Sequence, residues 1–371
     1  MRIAIFSENL LSNSGGAEVY ALKLAEVLCK QHEVELFTVY RSDTDIESVY
    51  KKYNTPYFQT HQIRKKTADL IIFDAVNRFL FWIKLKKKVE NRFDFYINAS
   101  CNRMLGFSGI KSIHLIHFPV QPYSKIFKGV IGKYLDNLYC KSYWQIWANS
   151  EFTRKYIQEW WNLDSIVLNP PIDMKIIPDK CLKEKENRII VVGRLVPDKK
   201  IKELAEAFLE IKDLLKNYIL IIIGNKDNNY IDYYNQLKIY EKTSNSYIRI
   251  LSDVSYETLV SEYRKAKLFW HGKGLDIDES NPLLMEHFGM TTVEAMANGC
   301  IPIVINKAGQ KEIVEEDISG FLWNSISELK EKTQKIINDE NLLYNMSKNT
   351  IERSKKFLLD EFTKKVGLLI K

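Results

Sequence analysis

No run of eighteen apolar residues occurs anywhere in the chain of 371 residues, which argues against a membrane-spanning helix. The opening stretch MRIAIF is too short for a signal peptide and has no cleavage site, so it reads as a buried parallel strand. Cysteine is scarce: Cys29, Cys101, Cys140, Cys181 and Cys300 are an odd number, and no Cys-x-x-Cys pair exists. Free thiols in a reducing cytosol fit that pattern better than a disulfide framework or a zinc knuckle. No internal repeat or low-complexity tract interrupts the chain. The Gly-x-Gly-x-x-Gly fingerprint of a nicotinamide-binding oxidoreductase is missing after the first apolar run, where Ser12-Asn13-Ser14-Gly15-Gly16-Ala17 stands instead. No Ser-His-Asp or Cys-His arrangement has a credible local context.

What is present is a regular alternation of short apolar runs and amphipathic helical patterns. Arg2 to Phe6 reads as a strand, a loop with Gly15-Gly16 follows, then a helical pattern with Val19, Leu22, Leu24, Ala25 and Leu28 apolar, and Glu33 to Val39 is the next strand. The alternation restarts after Leu168-Asn169-Pro170-Pro171-Ile172-Asp173, whose paired prolines fix an extended, helix-incompatible segment. Strands are then expected at Arg188 to Val192, Ile219 to Ile223, Ile248 to Leu251, Leu268 to His271 and Ile301 to Ile305. The fold class is therefore α/β, with two Rossmann-like domains facing a central cleft: residues 1–168 and 169–350, and a C-terminal helix at about 351–371 that packs back on the first. Open parallel sheets bind ligands at the carboxyl ends of their strands, which makes that cleft the expected site.

Charge is concentrated in one place. The net +7 comes from 54 Lys+Arg and 47 Asp+Glu. Residues 61–92 hold Arg64, Lys65, Lys66, Arg78, Lys84, Lys86, Lys87, Lys88 and Arg92 against Asp69, Asp74 and Glu90. Val76, Phe79, Leu80 and Ile83 fall at helical spacing within it, and Phe81 and Trp82 add further apolar surface. Two readings stand side by side. One is a solvated lysine face over a core-packed stripe; the other is contact of residues 76–92 with an anionic membrane surface. Nucleic acid is a weaker third option, since no recognition motif accompanies the charge.

Chemistry concentrates in two stretches. VVGRLVPDKK at 191–200 ends a strand and places Arg194, Lys199 and Lys200 before a helix; a guanidinium fork and an ammonium there suit a diphosphate. MEHFGMTTVEAMANGCIPIV at 285–304 places Glu286 in a loop, Gly289 at a helix start and Glu294 inside the helix. Free amides at the helix start attract an anion, Gly289 admits close backbone approach, and the two carboxylates can each accept from sugar hydroxyls. Either stretch alone also fits surface charge around an ordinary turn. Together they describe a site for a nucleotide-sugar.

Glu286 and Glu294, seven residues apart with VEAMANGCIPIV following, resemble the Glu-x7-Glu signature of retaining glycosyltransferases of family 4, which have the GT-B fold. GGAEVYALKLA at 15–25 and ANSEFTRKYI at 148–157 are similar to two further stretches of that family, in the same order, so the likeness spans nearly the whole chain. It implies that Arg194 and Lys199 hold the donor diphosphate, that Glu286 meets the transferred sugar and that Glu294 binds the ribose. Gly16, Phe288, Gly289, Met290 and Thr291 would complete the donor pocket. Lys200 stands where the family often has Gly, which leaves the loop's conformation open. His114 and His117 occur in SIHLIHFPVQPYSK. His117 is the expected active-site histidine, with Gly15 and Gly16 on the acceptor side. HFP and EHFG further resemble GDP-mannose-dependent α-1,2-mannosyltransferases that extend lipid-linked oligosaccharides. Asp43-Thr44-Asp45 and Asp276-Ile277-Asp278 match an Asp-x-Asp metal pattern that is common by chance. The resemblance implies that no metal or cofactor is needed.

The reaction expected is retaining transfer of a hexose from a nucleotide-sugar, GDP-mannose favoured over UDP- or dTDP-sugars, to a saccharide or lipid-linked saccharide. The alternative is a nucleotide-sugar 2-epimerase of the same fold. The location expected is the cytoplasm or the inner face of the membrane.

Overall fold

The computed structural model describes the whole chain except residues 9, 11–14, 40–46, 48–49, 51–54, 64–70, 101–103, 122–129, 216 and 371, and leaves out the side chains of 71–76, 130, 131, 133 and 140. The chain divides into two compact units, Met1–Pro171 with Phe362–Lys371, and Ile172–Glu361.

The first unit is built on seven strands: β1 (Arg2–Phe6), β2 (Glu33–Val39), β3 (Gln59–Ile63), β4 (Phe95–Asn98), β5 (Lys111–Ile116), β6 (Gln145–Ala148) and β7 (Ile166–Val167). They lie in the order β3-β2-β1-β4-β5-β6-β7, every neighbouring pair parallel. Strand order reverses between β1 and β4, the kind of switch point where open α/β sheets bind ligands. The helix Gly16–Leu28 follows β1. The C-terminal segment returns to this unit, where Phe362 packs edge-on against Tyr20 at 5.6 Å. Tyr20 in turn donates to the Leu168 carbonyl at 2.5 Å.

The second unit repeats the plan with β8 (Glu186–Val192), β9 (Ile219–Gly224), β10 (Ile248–Ser252), β11 (Ala266–His271), β12 (Ile301–Ile305) and β13 (Phe321–Trp323). The order is β10-β9-β8-β11-β12-β13, again all parallel. Both faces are covered, as parallel sheets require. Side chains alternate between two cores: Ile189, Val191, Leu220, Ile222, Leu268 and Trp270 enter one, while Ile190, Ile221, Ile223 and Phe269 enter the other. That double burial explains why these strands read as continuous apolar runs. The switch point here lies between β8 and β11, and every donor-site candidate of this unit follows one of those two strands or starts the next helix.

The basic segment is the helix Ile71–Val89, and it corrects the expected apolar stripe. Among the described side chains of this helix, Phe81, Leu85 and Val89, at i, i+4 and i+8, are buried, packed with Phe6, Phe37 and Tyr96. Trp82 is half-buried and donates to the Leu105 carbonyl at 2.9 Å. Phe79 and Leu80 are instead exposed, at 56% and 48%. The stripe that faces the sheet lies a little over a third of a turn away from Phe79 and Leu80, because neighbours along a helix are about 100° apart. Arg64, Lys65, Lys66 and Asp69 fall outside the described residues, as do the side chains of Asp74 and Val76. No helix among the described residues is long and apolar enough to cross a membrane.

Cys29, Cys181 and Cys300 are free thiols. Cys101 and the side chain of Cys140 lie outside the described residues.

Candidate active site

The site in the second unit starts at the end of β8. Gly193 donates to the Ile223 carbonyl at 3.0 Å and Leu195 to the Asn225 carbonyl at 3.0 Å, which tie the loop to the end of β9. Gly224 has no alternative there, since a Cβ on it would lie 1.8 Å from the Gly193 oxygen. The loop then turns through the short 3-10 helix Pro197–Lys199. Lys200 ends that turn at φ 58°, ψ 30° and caps the helix Ile201–Ile211. The left-handed conformation that favours glycine is thus kept by a lysine, whose Nζ lies 3.3 Å from Glu203 and 3.7 Å from Asp276.

Beside this turn runs the chain that leaves β11. Lys199 Nζ donates to Glu286 Oε2 at 2.6 Å, and His271 Nε2 lies 3.4 Å from the same oxygen. Lys273 is the next cation along and pairs with Asp198 at 3.4 Å. Burial pushes the Glu286 carboxyl up, yet Lys199, the His271 bond and Lys273 outweigh it and hold the group well below the usual carboxylate range. Glu286 is therefore ionised at neutral pH. His271 is pushed down by burial, against the upward pull of Glu286, and its Nδ1 is buried with no partner. A neutral imidazole beside an ionised carboxylate, donating from Nε2, accounts for both facts.

The loop that carries Glu286 is tied on its other side. Gly309 donates to the Glu286 carbonyl at 3.0 Å, and a Cβ at Gly309 would lie 2.4 Å from the Phe288 Cα. Gly289 caps the helix Met290–Ala297 at φ 123°, ψ 59°, a conformation open to glycine. A Cβ there would meet Gln310 Nε2 at 2.5 Å. Gln310 is buried and accepts from the Thr292 hydroxyl at 2.9 Å, so it locks the first turn of this helix to the segment after β12. Met290 and Thr291 are half-buried in that turn. Phe288 precedes Gly289 in the loop. Its ring is buried against Phe357 at 5.7 Å between centroids.

Glu294 lies one turn further in. Tyr263 donates to its Oε2 at 3.0 Å, and Asn298 donates to its carbonyl at 2.9 Å. Burial raises its carboxyl to about 6, against the downward pull of the Tyr263 bond. Arg194 does not join the Lys199–Glu286 pair. Its guanidinium is 3.7 Å from Asp227 and more than half exposed. Asp276 is exposed at φ 61°, and Asp278 accepts from the Ser280 amide at 2.8 Å. Asp43 and Asp45 lie outside the described residues. Among the described residues, no group of three or more His, Cys, Asp or Glu is placed to hold a metal ion.

In the first unit, Gly15 caps the helix Gly16–Leu28, and its amide donates to Glu18 Oε2 at 3.1 Å. The two histidines part company. His114 is buried, with Tyr139 bonded to Nδ1 and the Ser100 carbonyl 3.2 Å from Nε2, so both nitrogens are engaged. His117 stands at the end of β5, edge-on to Tyr20 at 5.7 Å, with a buried Nε2 that has no partner. Burial lowers it to about 4, partly offset by a bond with the Ala99 backbone, so it is neutral at pH 7.

Sequence reasoning missed His271, Lys273, Tyr263 and Gln310. His271 ends β11 and Lys273 follows it in the string HGKG, and the strand's carboxyl end was the signal available for them. Tyr263 and Gln310 carry no motif, and only tertiary packing brings them to Glu294 and Gly289.

Comparison with known proteins bears on the family and the fold. The model of the glycosyl transferases group 1 family matches residues 173–353, and that of Glycosyltransferase Family 4 matches residues 14–175. A GDP-Man:Man(3)GlcNAc(2)-PP-Dol alpha-1,2-mannosyltransferase of Dictyostelium discoideum is 25% identical over 247 residues, which cover 59% of this chain and 45% of that protein. The chain thus spans under half the length of that relative. An alpha-1,4-N-acetyl-D-galactosaminyltransferase of Campylobacter jejuni, whose named acceptor is a diNAcBac-PP-undecaprenol saccharide, is 24% identical over 93% of this chain and 92% of its own length. Among solved structures, Anabaena HepE in complex with UDP and glucose has a TM-score of 0.73 at 16% identity, covering 100% of this chain and 99% of that one. The epimerase alternative finds no support in these likenesses. With two parallel α/β units, and two family models that between them run from residue 14 to residue 353, the chain belongs to the family 4 glycosyltransferases of the GT-B fold.

Proposed function

We propose that this protein transfers a hexose from a nucleotide-sugar to a saccharide or lipid-linked saccharide with retention at the anomeric carbon and without a metal ion. The observation that carries the reading is the Lys199–Glu286 pair at 2.6 Å, held at the carboxyl ends of the switch-point strands β8 and β11. As the sugar–phosphate bond breaks, charge develops on the leaving diphosphate. Lys199, with two ammonium protons left after Glu286, and the amides at the Met290 helix start supply positive charge for it. Arg194, exposed and paired with Asp227, is assigned to join them on the diphosphate. Glu286, ionised, accepts from the hydroxyls of the transferred sugar and stabilises the positive charge that builds on its ring. Glu294 accepts from the ribose hydroxyls. On the first unit, Gly15, Gly16 and His117 are assigned to the acceptor side; the neutral His117 ring donates to the Ala99 backbone, which leaves Nε2 to accept from a sugar hydroxyl.

GDP-mannose stays the favoured donor on the likeness to the Dictyostelium mannosyltransferase, with UDP-sugars next because Anabaena HepE binds UDP and glucose. The lipid-linked acceptor fits the names of both curated relatives and the solvent face of the helix Ile71–Val89. That face presents Phe79, Leu80 and Ile83 with Lys84 and Lys87, a combination suited to an anionic membrane surface. The test is release of free nucleoside diphosphate from GDP-mannose, UDP-glucose and dTDP-glucose in the presence of extracted lipid-linked saccharides, with Glu286→Gln as control. Transfer by the wild type and none by the variant supports the reading. Equal turnover in both overturns it, as does product of inverted anomeric configuration for the retaining mechanism.

A further inference from the structure

Glu294 is not held by a cation. Among the described residues, the side chain bonded to its carboxylate is Tyr263, at 3.0 Å from Oε2. Tyr263 is fully buried, its ring packed among Ile190, Phe269, Val293 and Met296, on a helix (Tyr256–Lys265) capped by Ser255. The ring cannot swing, so the hydroxyl is a fixed donor. Burial raises the phenol far above its ordinary value, which keeps the proton on it at every working pH. The Thr291 carbonyl lies 3.4 Å from the same hydroxyl and is the weaker acceptor. A carboxylate has about four acceptor positions, and Tyr263 occupies one on Oε2. Oε1 and the remaining position on Oε2 are left for two vicinal hydroxyls.

We propose that Tyr263 is a positioning residue for the donor ribose: it holds Glu294 in the ionised form and orientation that accept both hydroxyls, and so couples donor affinity to pH. The inference rests on the donor-site reading of Glu294 above. An ionised acceptor bonds the phenol more strongly than a neutral one, so the same bond that orients the carboxylate also favours its charge. The other titratable groups around the pair are few. Tyr256, on the same helix, donates to the Asp173 carbonyl at 2.9 Å, with the carboxylate of Asp173 beyond it. Glu257 and Arg264 flank it on that helix. Behind the ring, Cys300 and Lys185 bond the Tyr263 carbonyl at 3.0 and 3.1 Å. None of these is bonded to the Glu294 carboxylate, so removal of the Tyr263 hydroxyl acts on Glu294 directly.

The test is the dissociation constant of GDP-mannose and of UDP-glucose, used as probes without acceptor because their doubly esterified diphosphates do not titrate in the window, by calorimetry from pH 5 to pH 8. Wild type should lose affinity as pH falls through about 6, where Glu294 takes up its proton. In Tyr263→Phe the step should move upward by about half to one pH unit, with affinity at pH 8 near that of the wild type. Glu294→Gln should show no step in this window. A 3-fluorotyrosine at position 263, a stronger hydroxyl donor, should move the step downward and serves if the Phe variant folds poorly. Superimposable wild-type and variant profiles, or an equal loss at every pH, would overturn the inference while leaving the donor site standing. Failure of wild type to bind either nucleotide-sugar at pH 8 would overturn the donor-site reading, and this inference with it.

Discussion

Replacing Lys199 with Met keeps the aliphatic stem and removes the charge that sits 2.6 Å from Glu286. What remains near the carboxylate is His271 Nε2 at 3.4 Å and Lys273, already paired with Asp198. Removing one partner of a buried ion pair costs about 3–5 kcal/mol, because the other charge is left without compensation. The side chains of Lys199 and Glu286 retain 19% and 20% exposure, so water screens part of that cost. We therefore expect a loss of about 2–3 kcal/mol at neutral pH, equivalent to roughly 4–12 °C in the melting of a unit of this size. The pH dependence has a definite sign. Glu286 is held below its ordinary value in the folded protein, so it contributes stability above the usual carboxylate range and loses it as pH falls through the folded value. Without Lys199 the upward push of burial has less to oppose it, so ionised Glu286 stabilises the fold less at neutral pH, and protonation as pH falls relieves that cost. Differential scanning calorimetry at pH 7.5, 5.5 and 4 should show the gap between wild type and variant largest at pH 7.5 and narrowing toward pH 4. A gap of less than about 1 °C at pH 7.5, or one of equal size at pH 4, would refute this reasoning.

Other perturbations follow from the same geometry. Glu294→Ala should raise KM for the donor with a smaller change in kcat, as removal of ground-state binding does; a fall in kcat at unchanged KM would contradict the ribose assignment. Lys200→Gly should leave stability within about 1 kcal/mol of wild type, since glycine accepts φ 58° freely, while Lys200→Val should lose about 1–2 kcal/mol in urea denaturation. Gly289→Ala forces a side chain into φ 123° and against Gln310 at 2.5 Å, so it should displace the helix start and abolish transfer in a protein that still melts cooperatively. Exchange of Lys84, Lys86, Lys87 and Lys88 for Glu, or of Phe79 and Leu80 for Ser, should abolish flotation with anionic liposomes; unchanged flotation would remove the helix Ile71–Val89 from the membrane contact.

The sheets were legible because parallel strands buried on both faces leave unbroken apolar runs, as at Ile219–Gly224 and Ile301–Ile305. Lys199 and Glu286 were legible through their resemblance, although 87 positions separate them and only the adjacency of β8 and β11 brings them together. Lys200 was the doubtful position in the sequence, and the fold resolves it: the backbone takes the left-handed turn, and two carboxylates engage the side chain. The helix Ile71–Val89 was misjudged in its facing. Apolar residues occur all round it, so periodicity did not separate Phe81, Leu85 and Val89 from Phe79 and Leu80. Tyr263 and Gln310 left no local trace, because each acts on a residue elsewhere along the chain through a single side-chain bond.

The central claim is that the second unit binds a nucleoside diphosphate through Lys199, the Met290 helix start and Glu294. Thermal denaturation of wild type and Lys199→Met with UDP, GDP, dTDP or ADP tests it most directly, because a ligand that binds only the folded state raises the melting temperature with the logarithm of its concentration over Kd. The account predicts that at least one nucleotide stabilises the wild type, and that Lys199→Met loses most of that shift. No stabilisation of wild type by any of the four, or the same shift in the variant, would contradict it.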